Sequence, residues 1–185
     1  MFKRILVAVD GSPASNAGLR TAIGLAADQH ASLVALHIVD DTVMTINFEG
    51  GYVPPNYVDS FYEELRRNGR RTLDKVERVA GASSVPVECV LAETHGQTVA
   101  HVILKQARKL KADAIVLGTH GRRGLRRALM GSDAEAVVRE ARVPVLLVRS
   151  PERAKPKART AGVLTAKRPA RARASAGTQP QLAPV

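Results

Sequence analysis

Apolar positions along residues 1–150 follow two alternating rhythms. Short continuous runs rich in β-branched residues fall at 5–9, 33–39, 87–91, 114–117 and 145–148. Continuous apolarity, in place of strict alternation, marks strands covered on both faces, as in a parallel sheet. Between the runs the spacing is helical. Ala17, Ala22, Leu25 and Ala26 follow Pro13, a favoured residue of a first helical turn. Residues 58–80 carry Leu65, Leu73, Val76 and Val79 as a second stripe; Val99, Val102, Ile103 and Ala107 mark a third helix, and Ala134, Val137, Val138 and Ala141 a fourth. Strands alternating with helices in this order predict a doubly wound α/β sandwich of five parallel strands with helices on both faces, Rossmann-like in plan.

Ligands of such sheets lie beyond the carboxyl ends of the strands, where strand order reverses. Attention therefore falls on the residues after Val9, Ile38 and Leu117. The exit of the fourth strand reads Gly118-Thr119-His120-Gly121, then Arg122, Arg123, Arg126 and Arg127, then Gly131-Ser132. Its skeleton is Gly-x2-Gly-x9-Gly-Ser. Glycines at 118 and 121 let a backbone turn sharply and approach a ligand closely. Ser132 is expected as the N-cap of the fourth helix, where free N–H groups make an anion site. This is not a P-loop, since no Gly-Lys dipeptide occurs. The arginines either reach phosphates or form a solvated face.

The exit of the second strand is long: residues 40–56 contain Gly50-Gly51 and Pro54-Pro55, a loop by composition. Of three phenylalanines and three tyrosines, all but Phe2 lie between Phe48 and Tyr62. Tyr57, Phe61 and Tyr62 are expected to pack the second helix onto the sheet, while Phe48 or Tyr52 could cover a bound base. Asp40-Asp41 is read as solvating the loop, with Mg²⁺ contact as the lesser reading.

Charge changes the picture once it is divided. The chain carries a formal +11. From 151 onward eight basic residues face the single acid Glu152, so the tail holds +7 and residues 1–150 only +4. A segment of Lys, Arg, Ala, Pro, Thr and Gly cannot bury enough surface to offset its ordering entropy. Residues 1–150 are therefore expected as the folded domain and 151–185 as a disordered basic tail. No apolar run is long enough to span a membrane, and residues 5–9 are too short for a signal-peptide core, so a cytoplasmic location is expected. Cys89 is the single cysteine, which rules out an intrachain disulfide and suggests a buried structural thiol.

These residues together resemble the universal stress protein family: Asp10 after Val7-Ala8-Val9, His37 near the end of strand two, the glycine skeleton, and the closing Val143-Pro144-Val145-Leu146-Leu147-Val148. The likeness runs from 2 to 149. It implies a strand order 3-2-1-4-5, a homodimer built on the fifth strand, and ATP binding, since the ATP-binding branch carries this skeleton. Asp10 would lie by the ribose or a nucleotide-bound Mg²⁺, and the Ile38 backbone would read the adenine edge. Gly118, Gly121, Gly131 and Ser132 would hold phosphates, with Thr119 and His120 lining the turn and the Asp133 N–H within reach. Ala8, two before Asp10, limits the contact there to backbone or a methyl group.

Three functions compete. The first is an ATP-binding regulatory module. The second is a slow ATPase or a nucleotidyl or phosphoryl transferase, for which no general base can be named; His30, His37, His95, His101 and His120 show no metal-ligand spacing, and Ser12 and Ser132 have no partner base. The third is weak, salt-sensitive nucleic-acid association through the tail.

Overall fold

The computed structural model describes residues 1–41, 55–119 and 130–149, except the side chains of 55 and 56. All of these fall in the compact unit Met1–Glu152. The strands are β1 (Arg4–Ala8), β2 (Ser32–Val39), β3 (Val87–Glu93), β4 (Ala114–Gly118) and β5 (Val145–Val148). The helices among the described residues are α1 (Pro13–Gln29), α2 (Pro55–Gly81), α3 (Val99–Lys109) and α4 (Ser132–Glu140). The sheet order is β3-β2-β1-β4-β5, with every pairing parallel. Both the sheet and its order match expectation.

Alternation along the strands splits the core into two layers. Ile5 and Val7 join Leu19, Ile23 and Ala26 of α1 and Leu73, Val76 and Ala80 of α2 on one face. Leu6 joins Val102, Ile103 and Leu104 of α3 and Val137 of α4 on the other. Leu6, Ile5 and Val7 have no exposed surface; burial at this level contributes roughly 1.5–3 kcal/mol per large side chain. Glycine permits the close fit of α1. A Cβ on Gly118 would lie 2.8 Å from both the Ala14 carbonyl carbon and the Ser15 nitrogen.

Two helical stripes differ from expectation. Val79 is 46% exposed and Ala80 takes its place in the core, because 73, 76 and 80 share a face from which 79 is turned by about 90°. Val138 is also exposed, since α4 lies toward the β5 edge of the sheet, where Leu146 is exposed too.

Helix α2 overhangs the sheet. At roughly 1.5 Å per residue its length is about 40 Å, whereas β3 spans about 23 Å. Between 57 and 68 no side chain is buried; burial begins at Gly69. Tyr57 is accordingly 56% exposed, which corrects the expectation that it packs on the sheet. Phe61 and Tyr62 meet edge to face at 6.1 Å, and the Tyr62 hydroxyl donates to the Asp41 carbonyl at 3.5 Å. The N-terminal turns thus rest on the β2 exit.

Candidate functional site

The strand order reverses between β1 and β4, so the crevice at their carboxyl ends is the natural ligand position. Ala8 closes β1 opposite Leu36. Its methyl and the Ile38 side chain both pack against the α3–α4 layer, so at these two positions the backbone is what the edge of the sheet presents. Val9 donates to the Leu36 carbonyl at 2.8 Å, binding the two exits together. The Val9 carbonyl accepts in turn from Nδ1 of His37 at 2.7 Å, which places the proton of that buried imidazole on Nδ1.

Asp10 begins the turn into α1. Its Oδ1 accepts from the Ser12 N–H at 2.9 Å and its own N–H donates to Ser15 Oγ at 3.0 Å. Gly11 takes φ +82°, which glycine alone adopts easily. Ser12 caps α1 by accepting from the Ser15 N–H at 3.1 Å, and Pro13 has no N–H to satisfy.

At the other side of the crevice Thr119 follows β4. Its N–H donates to the Val148 carbonyl and its carbonyl accepts from the Gly131 N–H, each at 2.9 Å. That second bond pins the start of α4 to the exit of β4. Gly131, extended at φ −64° and ψ 147°, is the N-cap and supplies no side-chain hydrogen bond. Ser132, expected as the cap, is instead the first helical residue and is exposed, as is Asp133. Gly131 is the cap because its N–H is drawn to Thr119 before the helix begins. Among the described residues, no side chain caps the N–H groups of the first turn. Asp133 and Glu135 lie in that turn and compensate the helix dipole, so net charge at this helix start does not favour an anion and only directed N–H groups could.

Asp10, Thr119, Gly131 and Ser132 thus belong to one edge of the sheet. Gly118 belongs there too, and its missing Cβ also makes room for the start of α1. His120 and Gly121 lie outside the described residues, as do Phe48, Tyr52 and the four arginines.

Sequence reading missed a polar knot at the β2 and β3 exits. Thr94 is buried; its hydroxyl donates to the Asp41 carboxylate, and Asp41 also accepts from the Gly96 N–H at 3.2 Å. These bonds hold the Asp41 carboxyl below its ordinary pKa. Asp41 is therefore a tie between strand exits, not a solvating loop residue. Arg66 of α2 grips Glu93 with two bonds at 2.7 and 3.1 Å, lowering the Glu93 pKa. No local signal could have found it, since Thr94 and Asp41 are far apart in sequence. Cys89 is half-buried, and burial pushes its thiol up to about 11, as a structural thiol should be.

Fold and edge define a class: a five-stranded doubly wound α/β domain with its open helix start at the β1/β4 switch. The model of the universal stress protein family matches residues 1–149. Universal stress protein YxiE of Bacillus subtilis is 34% identical over 151 residues, covering 80% of this chain and all of that one. A solved universal stress protein from Burkholderia pseudomallei is 36% identical with a TM-score of 0.62, covering 79% of this chain and 95% of that chain. The UspA structure from Lactobacillus plantarum, at 24% identity, shares the fold with a TM-score of 0.67 over 80% of this chain and 97% of that chain. This chain belongs to the universal stress protein family.

Proposed function

We propose that this chain is an ATP-binding regulatory module whose triphosphate sits on the uncapped start of α4. The observation that carries the reading is that Gly131 caps α4 without a side chain while its N–H is committed to Thr119. No side chain among the described residues takes the N–H groups that follow, which suits an outside acceptor. The Ser132 hydroxyl adds a donor, Asp10 flanks the sugar side, and the Ile38 backbone meets the base. The donor set suits phosphate. Among the described residues no group of three His, Cys, Asp or Glu could hold a metal, and Mg²⁺ would arrive with the phosphates beside Asp10. Structures of similar fold support an adenine nucleotide: one universal stress protein is solved in complex with cAMP, and one from Archaeoglobus fulgidus in complex with dAMP.

Purified protein should carry or take up ATP, read by calorimetry. Absence of adenine nucleotide binding at millimolar concentration would defeat the reading. Hydrolysis slower than about one turnover per second keeps the protein a binder and not an enzyme.

Two further properties go with this reading. Edge strand β5 exposes Leu146, which supports a homodimer through that strand. The +7 of residues 151–185 supports weak, salt-sensitive nucleic-acid contact that truncation after 150 removes. No helix among the described residues is long and apolar enough to cross a membrane, in keeping with a cytoplasmic site of action.

A further inference from the structure

The opposite edge of the sheet, β3, has a geometry of its own. The Leu33 N–H donates to the Pro86 carbonyl and the Thr94 N–H to the Val39 carbonyl. A parallel strand turns alternate residues toward each side. Even-numbered residues of β3 therefore face β2, and the N–H and C=O groups of Cys89, Leu91 and Glu93 point out from the sheet. No strand pairs with them among the described residues.

An edge of this kind is normally guarded by charge. Here the two acids of the strand itself are paired, while Glu77 and Asp74 of α2 stand near its Cys89 end, away from Leu91 and Glu93. Glu88 pairs with Arg4, and Glu93 with Arg66. Beside Leu91 and Glu93 lies a cleft of about 520 Å³, bounded by Arg66 of α2, by Lys105 and Gln106 of α3, and by His95 and Gln97 of the turn between β3 and α3. Buried Val102 and Ala92 contribute an apolar floor. Glu93 is spent on Arg66, whereas the Lys105 ammonium has no acidic partner among the described residues. Among the described residues, the uncommitted charge of the cleft is positive.

We propose that this edge is a docking groove for an extended, acidic peptide segment of a partner protein. The segment adds to β3 as a further strand. Its main chain pairs with Leu91 and Glu93, its alternate apolar side chains meet the Val102 floor, and a carboxylate reaches Lys105. Main-chain pairing provides affinity in such additions, and the flanking side chains provide selectivity. This groove lies at the edge farthest from β5 and does not depend on the nucleotide reading.

The full chain can be tested with two fluorescein-labelled heptapeptides, one of alternating valine and glutamate, the other of alternating valine and lysine. The acidic peptide should bind saturably by anisotropy and slow hydrogen exchange at the Leu91 and Glu93 amides, which should exchange rapidly in the free protein. Lys105→Glu, a surface change on α3, should weaken binding by about tenfold or more. The proposal is overturned if those amides are already protected without peptide, or if the lysine peptide binds equally well. Unchanged affinity in Lys105→Glu would also overturn it, as would free glutamate competing at the concentration of the peptide, which would mean a small-anion pocket.

Discussion

Helices α1 and α4 both begin at the carboxyl edge of the same sheet, yet they begin in opposite ways. The start of α1 is closed by its own residues: Ser12 caps it, Pro13 removes a donor, and Asp10 and Ser15 tie the preceding turn. The start of α4 is held in place by Thr119 through Gly131, but nothing on Gly131 caps it. Two helix ends with the same dipole thus serve different purposes. One spends its N–H groups on fixing the chain; in the proposed reading the other offers them to a phosphate. The β2 and β3 exits resemble the first kind, with Asp41, Thr94 and Gly96 closing on one another.

The sharpest way to break this contrast is to close the open end. Gly131→Asp fits the extended cap backbone, gives α4 a capping carboxylate worth a few tenths of a kcal/mol over glycine, and sets a negative charge where the proposed site would hold phosphate. Melting temperature should hold or rise while ATP affinity falls by about 100-fold, roughly 2.7 kcal/mol; retained affinity by calorimetry would refute the assigned site. Next comes Gly118→Ala, whose methyl would press on the backbone of α1. Overpacking of this kind costs about 1–3 kcal/mol, read from urea unfolding, and a neutral result would show that α1 can shift away. Ser12→Ala removes the cap of the closed end and should cost about 1 kcal/mol of stability, with ATP affinity changed less than in Gly131→Asp.

The smallest effect concerns the closed knot of the strand exits. Asp41 and Glu93 are both held below their ordinary pKa by partners in the fold. Unfolding frees them to bind protons more readily, so their stabilisation is complete above the unfolded carboxylate range, near about pH 4. It is lost as pH falls through the depressed folded values. Urea midpoints measured from pH 6 down to pH 3 should fall less steeply in Thr94→Val, which starts less stable; parallel curves would remove Asp41 from this role.

The α/β plan was legible because runs such as 33–39 and 114–117 are apolar on both faces, a pattern that parallel strands alone explain well. Strand order came from family likeness and not from periodicity, which carries no order. The open start of α4 was legible as glycine and serine near a helix, but which of the two caps depends on the bond from Gly131 to Thr119. That bond joins segments brought together only by folding. Gly118 taught a similar lesson: a glycine beside a binding edge can be required by a neighbouring helix. Asp41 and Thr94 were invisible for the same reason, as neither has a local partner.

The imidazole of His37 donates to the Val9 carbonyl on one side, and on the other a Cβ at Gly69 would come within 2.7 Å of its ring. The His37 ring and the Leu91 side chain, whose Cδ1 would lie 2.6 Å from that Cβ, together set how closely α2 approaches the sheet. Related chains should vary these three positions together: wherever 69 gains a side chain, 37 and 91 must surrender volume, or the tilt of the long overhanging helix will change.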